Sequence, residues 1–300
     1  MPRVWGGRAL ETTYSRALPD AQPYGESWEI SDRSCEQSEV ITGEFAGATL
    51  HDLWKGQREQ IFGSGLKGER FPLLMKILDA RDDLSIQVHP PASVASRLGG
   101  EPKTEMWYIA EALPDSRLYL GLRNGITREQ FETSIREGSV DQSVHSVQPR
   151  AGQSIFIPSG RLHAIGAGML IFEIQQNSDT TYRTFDWNRV GLDGKPRDLH
   201  ITESLESIDF DDFEPEMNQP EDQSLAVCKH FKVELLKLSP GTTLGNPDPD
   251  RFSILAIVNG KLCSSDKREY SAGDFLLLPR GQERLKAVSE TSLLQTTIPR

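Results

Sequence analysis

Two histidines, a glutamate and a glutamine are the residues of this 300-residue sequence best suited to hold a metal ion. Gln87 and His89 belong to Leu84–His89, where polar and apolar residues alternate as they do in a β-strand. Because strand side chains alternate between faces, Ser85, Gln87 and His89 share one face. Taken alone, Gln87 and His89 would more often not form a ligand site, and His89 would simply be an exposed histidine at a strand end, beside Pro90.

Lys103 and Glu105 form a second polar pair. They share a face if Lys103–Tyr108 is also a strand, and Met106 and Tyr108 would then pack on the opposite face. For this pair alone, a solvated salt pair on a surface strand is the commoner arrangement.

A third group lies in a segment with the spacing Gly-x5-Pro-x-Gly-x2-His, at Gly152, Pro158, Gly160 and His163. Gly152 allows a tight turn into a strand. Pro158 and Gly160 then turn the chain sharply, so that His163 points back from the next strand. This spacing resembles the second sequence motif of the cupin superfamily.

Together the three groups supply nitrogen and oxygen donors that suit Zn²⁺, with Fe, Mn, Co or Ni as alternatives. A metal ion held by so few protein ligands has coordination positions left for water or substrate. This is typical of a catalytic metal site rather than a closed structural one. A cysteine-based zinc site is not available, because Cys35, Cys228 and Cys263 are far apart and form no Cys-x-x-Cys. These three thiols predict a reducing, cytoplasmic location.

The elements that must position these donors are mostly strands. Short segments with strand patterns, separated by Gly and Pro turns, predict a mainly β fold of the sandwich or barrel type. A few short helices are predicted at 127–138, 50–62 and 202–208. In the first of them Thr127 is the expected cap and Gly138 the expected stop.

An acidic stretch with two prolines at 209–223 predicts a linker between a catalytic domain at 1–208 and a C-terminal domain at 224–300. The chain repeats a pattern across this linker, since Pro149–Pro158 resembles Tyr270–Pro279. We interpret the repeat as two cupin-like jelly-roll units. Chance similarity between two strand-and-turn segments is the alternative.

The repeat also indicates where the two units differ in chemistry. His163 and Arg284 occupy the same place, each following the shared proline. Arginine does not act as a metal ligand, because its guanidinium only donates. We therefore expect the second unit to be a degenerate copy that supports the fold without binding metal.

The composition excludes several classes of partner. The 33 basic and 44 acidic residues give a net charge of −11, which repels nucleic acid and anionic membranes. No apolar run reaches the roughly 18 residues of a membrane helix, and the N-terminus lacks the apolar stretch of a secretory signal. No glycine-rich nucleotide loop is present. A small anionic substrate is compatible with this charge, because a few local cations can outweigh it.

Longer ordered motifs make the sequence resemble the type I mannose-6-phosphate isomerase family, in its short bacterial form. The similarity runs from about residue 3 to about residue 201, and the C-terminal quarter matches only through the degenerate repeat. The motifs are Trp5–Gly7, Gly25–Asp32, Phe71–Ala80, Leu84–Pro90, Lys103–Ile109 and Tyr182–Trp187.

This resemblance implies one zinc ion per chain, with another divalent metal as an alternative. The residues matching the zinc ligands are Gln87, His89, Glu105 and His163. The resemblance further implies a catalytic role for Arg183 and places Ser85 and Lys103 at the sugar-phosphate pocket. Without it, Arg183 would be an ordinary strand arginine paired with Asp186 or Glu173.

The implied reaction interconverts mannose 6-phosphate and fructose 6-phosphate through an enediol. Lys103, Arg183 and a metal-bound hydroxide stay open as the base, and Lys103, Arg183 and Arg161 are candidates to bind the phosphate. The expected partner is a small sugar phosphate, and the chain is expected to be a monomer or weak homo-oligomer. Two other functions stay open: a metal-dependent cupin isomerase or epimerase acting on another sugar or sugar phosphate, and a non-catalytic sugar-phosphate-binding cupin.

Overall fold

The computed structural model describes residues 1–41, 43–281 and 283–300. The strands in this part of the chain are β1 (Pro2–Gly7), β2 (Glu26–Ile30), β3 (Asp32–Arg33), β4 (Glu36–Gln37), β5 (Leu73–Ala80), β6 (Ile86–Val88), β7 (Glu105–Ala112), β8 (Leu118–Leu122), β9 (Val144–Val147), β10 (Ser154–Ile157), β11 (His163–Ile165), β12 (Met169–Gln176), β13 (Tyr182–Phe185), β14 (Ser224–Val227), β15 (Lys232–Leu238), β16 (Thr243–Gly245), β17 (Ser253–Asn259), β18 (Lys261–Cys263), β19 (Glu269–Ser271), β20 (Phe275–Leu278), β21 (Arg284–Ala287) and β22 (Thr291–Thr297). The helices are α1 (Ala9–Thr12), α2 (Leu50–Gly56), α3 (Arg58–Ile61), α4 (Arg128–Glu137) and α5 (Ile201–Ser207), with a 3₁₀ turn at Val140–Gln142. The predicted mainly β class is confirmed.

The chain forms two compact units, each built from two segments. The first contains Met1–Ser27 and Lys76–Pro220, and the second contains Trp28–Met75 and Glu221–Arg300. The predicted domains therefore differ from these units in residues 28–75, which group with the C-terminal segment.

Aromatic packing explains this grouping. The rings of Phe62 and Phe71 lie 5.3 and 5.5 Å from that of Phe252, measured between centroids. The backbone N–H of Phe252 also donates to the carbonyl of Phe62 at 3.3 Å. Because these rings are fully or almost fully buried, separating the two segments would expose all three.

The first unit contains two sheets. A six-stranded sheet has the order β1-β5-β12-β7-β10, with β2 paired to β5, and a five-stranded sheet has the order β13-β6-β11-β8-β9. Between them, Leu78, Trp107 and Ile171 of the first sheet pack in one buried cluster with Leu120 and Ile165 of the second. The unit is therefore a β-sandwich whose interior is apolar over part of its length.

The outer face of the five-stranded sheet is covered by α4. Ile86 and Val88 of β6 pack in a second buried cluster with Phe131 of α4. Thr127 caps this helix in a capping box, and Gly138 ends it with a left-handed φ of 69°. Because Ile86 and Val88 point outward, the residue between them points into the sandwich.

The other predicted elements agree with the structure except in three places. The strand predicted at Leu84–His89 is shorter, because β6 contains only Ile86–Val88 and Ser85 and His89 flank it. The helix predicted at 50–62 is interrupted at Gln57, whose φ of −128° and ψ of 24° are not helical, so that α2 and α3 are separate. The strand predicted from Lys103 begins only at Glu105, so Lys103 precedes it. The predicted strands at 153–157 and 169–175 correspond to β10 and β12.

The second unit repeats the strand order of the first. Its sheets run β14-β15-β22-β17-β20 and β16-β21-β18-β19, which match β1-β5-β12-β7-β10 and β6-β11-β8-β9 position by position. Gln87 pairs with His163 in the first unit, whereas Gly245 pairs with Arg284 in the second. Glu105, which lies opposite Ile157, is likewise matched by a serine opposite the leucine of the repeat. The second unit thus has glycine, arginine and serine where the first has Gln87, His163 and Glu105.

Within the described residues, none of the helices is long and apolar enough to cross a membrane.

The aromatic packing gives a stability prediction. Phe252→Ala should lower the free energy of unfolding by about 3–5 kcal/mol, because it leaves a cavity beside Phe62 and Phe71. Val288→Ala, at a half-exposed apolar position, is the matched control and should change it by less than about 0.5 kcal/mol. Urea unfolding followed by fluorescence measures both. Equal effects of the two substitutions would show that residues 28–75 do not depend on this packing.

Candidate functional site

Three polar side chains lie in a row across the five-stranded sheet. Gln87 on β6 is paired with His163 on one side and with Arg183 on the other. Directly paired residues of neighbouring antiparallel strands point to the same face. Because Gln87 points into the sandwich, His163 and Arg183 do so as well.

The turn before β11 brings His163 into this row. Gly160 has a φ of 97°, which a residue with a side chain rarely adopts. Its N–H donates to the carbonyl of His89 at 2.9 Å, so the turn is attached to the end of β6. The glycine in the predicted motif is therefore required by the backbone conformation.

Glu105 reaches the same point from the opposite sheet. It is the first residue of β7 and lies between Ile157 of β10 and Gln175 of β12. Its side chain is fully buried. Oε2 lies 3.4 Å from Nε2 of His89, and Oε1 lies 3.5 Å from Nε2 of His163.

The three residues form a candidate metal site. One ligand atom from each of His89, Glu105 and His163 lies within 4.8 Å of the others, and all three side chains are buried. The two imidazole rings are 4.7 Å apart between centroids. Two histidines and one carboxylate match a common ligand set of catalytic zinc.

Backbone carbonyls fix the tautomers of both histidines. Nδ1 of His89 donates to the carbonyl of Thr180 at 2.8 Å, and Nδ1 of His163 donates to that of Arg161 at 2.9 Å. A carbonyl can only accept, so each Nδ1 carries the proton and each Nε2 presents a lone pair. Such hydrogen bonds orient metal-binding histidines in proteins.

The charge states of these groups also suit a metal. Burial, followed by the positive charge of Lys103, lowers the pKa of His89 to about 3. Burial lowers the pKa of His163 as well. Burial opposes the charged form of Glu105, but the positive charge of Lys103 outweighs it and holds the pKa of this carboxyl group well below the usual range. The site therefore offers two neutral imidazoles and one carboxylate.

Glu105 provides the test of whether these residues fit a metal. Neither of its buried carboxylate oxygens accepts a hydrogen bond. Nζ of Lys103 lies 2.8 Å from Oε2 and forms an ion pair with it. Buried carboxylate oxygens normally accept hydrogen bonds or bind a cation. This donor set fits a divalent ion.

Gln87, the fourth predicted ligand, lies at the edge of this site. Its Nε2 is 3.3 Å from Nε2 of His163, and its Oε1 accepts from the hydroxyl of Ser85 at 3.3 Å. The amide is therefore beside the histidine, with its nitrogen rather than its oxygen facing the ring. Rotation of the amide exchanges the two atoms without additional space.

A cavity of about 570 Å³ opens beside the site. Ser85, Gln87 and Lys103 are part of its wall, so it reaches the neighbours of the candidate metal ligands. Trp5 and Leu84 contribute apolar surface to the same wall. Most of the lining is nevertheless polar or charged, so the cavity suits a small polar molecule.

Lys103 and Arg183 bring positive charge to this cavity. Burial disfavours the charged form of Lys103, but the carboxylates of Glu105 and Glu173 outweigh it and raise its pKa above the usual range. Arg183 lines the cavity and donates from Nη1 to the carbonyl of Asp198 at 2.8 Å. It forms no ion pair with Asp186 or Glu173, the partners expected of an ordinary strand arginine. Both side chains therefore remain cationic at the cavity wall.

Arg161 is placed differently from the other candidate cations. It forms a two-pronged ion pair with Asp212, with N–O distances of 2.8 and 2.7 Å. Its Nη1 donates to the carbonyl of Phe156. Arg161 is not among the residues that line the described cavity, so it does not join Lys103 and Arg183 there.

Glu173 is a cavity residue whose importance sequence reasoning missed. Its Oε2 accepts from the indole N–H of Trp107 at 2.9 Å, and its Oε1 lies 3.4 Å from Nζ of Lys76 and 4.0 Å from Nζ of Lys103. Burial raises its pKa. The sequence did contain a signal, namely a glutamate within the apolar run Met169–Gln175. A charged residue in a buried strand requires a partner, so this position could have been identified as a candidate.

Comparison with known proteins gives concordant matches. A family model, phosphomannose isomerase type I, catalytic domain, matches residues 2–106. Mannose-6-phosphate isomerase ManA of Bacillus subtilis (strain 168) is 38% identical over 297 residues, which cover 95% of this chain and 92% of that protein. The chain belongs to the type I phosphomannose isomerase family.

Solved structures of such isomerases share its fold. The crystal structure of the mannose 6-phosphate isomerase from Bacillus subtilis matches with a TM-score of 0.88 and 29% identity, over 99% of this chain and 97% of that one. A mannose 6-phosphate isomerase bound with zinc and yttrium matches in fold, with a TM-score of 0.74 and 16% identity over 100% and 97% of the two chains.

The geometry of the candidate site predicts the effect of removing one imidazole. His163→Ala should abolish most of the bound divalent metal, because one of three clustered donors is lost. His145→Ala, on β9 of the same sheet, is the matched control and should keep the wild-type metal content. Elemental analysis by mass spectrometry measures the metal per chain. Full metal occupancy in the first variant would contradict the site.

Proposed function

We propose that this protein is a metal-dependent aldose-ketose isomerase that interconverts mannose 6-phosphate and fructose 6-phosphate. The observation that carries the proposal is the buried His89–Glu105–His163 cluster beside a cavity whose wall includes Lys103 and Arg183. Family membership supports the choice of substrate, since the curated relative of similar length is a mannose-6-phosphate isomerase.

The metal that we propose is zinc, one ion per chain, held by His89, Glu105 and His163 with Gln87 as a fourth ligand. The nitrogen and oxygen donors favour zinc, although other divalent metals accept the same ligands. When bound, the ion would act as a Lewis acid that stabilises negative charge on substrate oxygen.

The reaction moves a hydrogen between C2 and C1 of the sugar phosphate through an enediol. Negative charge develops on oxygen as the proton leaves carbon. We propose that Arg183 and Lys103 stabilise this charge, because both are cationic groups of the cavity wall with limited access to water. Ser85, which is buried and lines the cavity, is the proposed hydrogen-bonding partner of the sugar.

Glu173 is our candidate for the base. Lys103 and Arg183 stay protonated, which leaves them poor proton acceptors. Oε1 of Glu173 is buried, lines the cavity and accepts no hydrogen bond. Its raised pKa brings the carboxyl group closer to the working pH, where a general base that must also return the proton is most effective.

A coupled assay for fructose 6-phosphate tests the proposed function. Mannose 6-phosphate should be converted by the metal-loaded protein, and a chelator should abolish the conversion until zinc is restored. A panel of other sugars with and without phosphate separates this activity from that of a related isomerase or epimerase. Binding of sugar phosphate without any turnover would instead indicate a non-catalytic binding protein.

The proposed base gives a sharper prediction. Glu173→Gln keeps the shape and the bond from Trp107 but cannot accept the proton, so kcat should fall about 10²- to 10⁴-fold. Metal content should not change, because Glu173 is not a proposed ligand. Glu111→Gln, at an exposed position of β7, is the control. A kcat for Glu173→Gln within about threefold of wild type would exclude Glu173 as the base.

A further inference from the structure

A short hairpin forms part of the cavity wall. Val190 and Pro196 pair as an isolated antiparallel bridge, and the N–H of Gly191 donates to the carbonyl of Lys195 at 2.7 Å. We call residues 189–197 the cavity hairpin. Its cavity-lining residues are Gly191, Leu192, Asp193 and Arg197.

One buried carboxylate holds both arms of the cavity hairpin. Oδ2 of Asp186 accepts from Nε of Arg197 at 2.7 Å, and Oδ1 accepts from its Nη2. Oδ1 also accepts from Nε and Nη2 of Arg189, at 3.1 and 2.9 Å. Asp186 is only 6% exposed, so both ion pairs form with little access to water.

The two arginines differ in what they can reach. Arg197 lines the cavity, whereas Arg189 is not among the lining residues described. Asp186 occupies Nε and Nη2 of Arg197, and within the described residues Nη1 has no hydrogen-bond partner. Asp186 therefore fixes the guanidinium while one donor group remains for a ligand.

Arg183 lies close to this group. Its Nη1 donates to the carbonyl of Asp198, the residue after Arg197, at 2.8 Å, and both arginines line the cavity. Nε of Arg183 is buried without a hydrogen-bond partner. Two neighbouring guanidinium groups make this part of the wall strongly positive, and the unused donor of Arg197 can bind a doubly charged oxyanion there.

The backbone that leads into the hairpin is held in an uncommon conformation. Trp187 and Asn188 have left-handed φ angles of 55° and 52°. The indole N–H of Trp187 donates to the carbonyl of Leu84 at 2.7 Å, which anchors this turn. A strained turn that persists is often part of a functional site.

We propose that Asp186 is a positioning residue that orients Arg197, next to Arg183 in the cavity wall, to bind the phosphate of the substrate. This inference rests on the proposed function, because it assumes a phosphorylated substrate. Asp186 acts through Arg197 and does not itself touch the phosphate.

The test compares KM, kcat and inhibition by inorganic phosphate in Arg197→Gln, Asp186→Asn and the double variant. Each single change should raise KM for mannose 6-phosphate about tenfold to a hundredfold and weaken phosphate inhibition similarly. The kcat should stay within about threefold. The double variant should resemble Arg197→Gln alone, because Asp186 acts only through that side chain.

Arg189→Gln is the matched control, since it removes the other arginine held by the same carboxylate. It should change KM by less than about threefold, and Asp186→Glu should recover part of the affinity. A KM for Arg197→Gln equal to that of wild type would overturn the inference. So would an equal rise in KM for Arg189→Gln, or additive effects in the double variant, because either result describes a merely structural role.

Two further measurements keep the outcomes separate. If Asp186→Asn fails to fold in a thermal melt, Arg197→Gln and Arg197→Lys decide alone. The lysine variant keeps the charge and should bind phosphate better than the glutamine variant.

If the wild type does not isomerise mannose 6-phosphate, the proposed function fails, and calorimetric titration with inorganic phosphate still tests the arginines. If Arg197→Gln binds inorganic phosphate as tightly as the wild type does, the inference about Arg197 is contradicted, and the proposed function is not affected.

Discussion

The candidate metal site of the first unit depends on a carboxylate that is fully enclosed by protein. Glu105 has no exposed surface, and neither of its oxygens accepts a hydrogen bond. An isolated carboxylate in such a place would be protonated or would destabilise the fold. Two imidazole nitrogens and Nζ of Lys103 surround it instead, and a divalent cation between the imidazoles would complete its coordination.

The sandwich supplies this arrangement through strand register. Gln87, His163 and Arg183 lie side by side on one sheet, and Glu105 begins a strand of the other. The remaining length of the interior is filled by apolar side chains such as Ile165. The second unit has the same strand order but lacks the donors, so the fold does not require the site.

Sequence patterns predict those site residues whose positions follow from strand alternation or from a local turn. Alternation in Leu84–His89 predicts that Gln87 and His89 share a face, and the glycine of the turn at 160 predicts that His163 points back toward them. Glu173 and Asp186 could not be predicted in this way. Their partners lie on other strands or on a hairpin, and no local periodicity encodes a contact between buried charges.

Local sequence patterns also could not show which chain segments make up each compact unit. A compositional change at 209–223 indicates where a linker can lie, but it cannot show which segment a distant apolar cluster joins. Phe62 and Phe71 follow helical and turn sequences that are compatible with either unit. Their packing against Phe252 is a contact between distant segments, and it groups residues 28–75 with the C-terminal segment.

X-ray absorption at the zinc edge of the purified protein tests the central claim most directly. The account predicts one zinc per chain, with a first shell of two imidazole nitrogens and additional oxygen donors at about 2.0–2.2 Å. A spectrum with sulfur ligands, or with fewer than two imidazoles, would place the metal elsewhere and contradict the site built around Glu105.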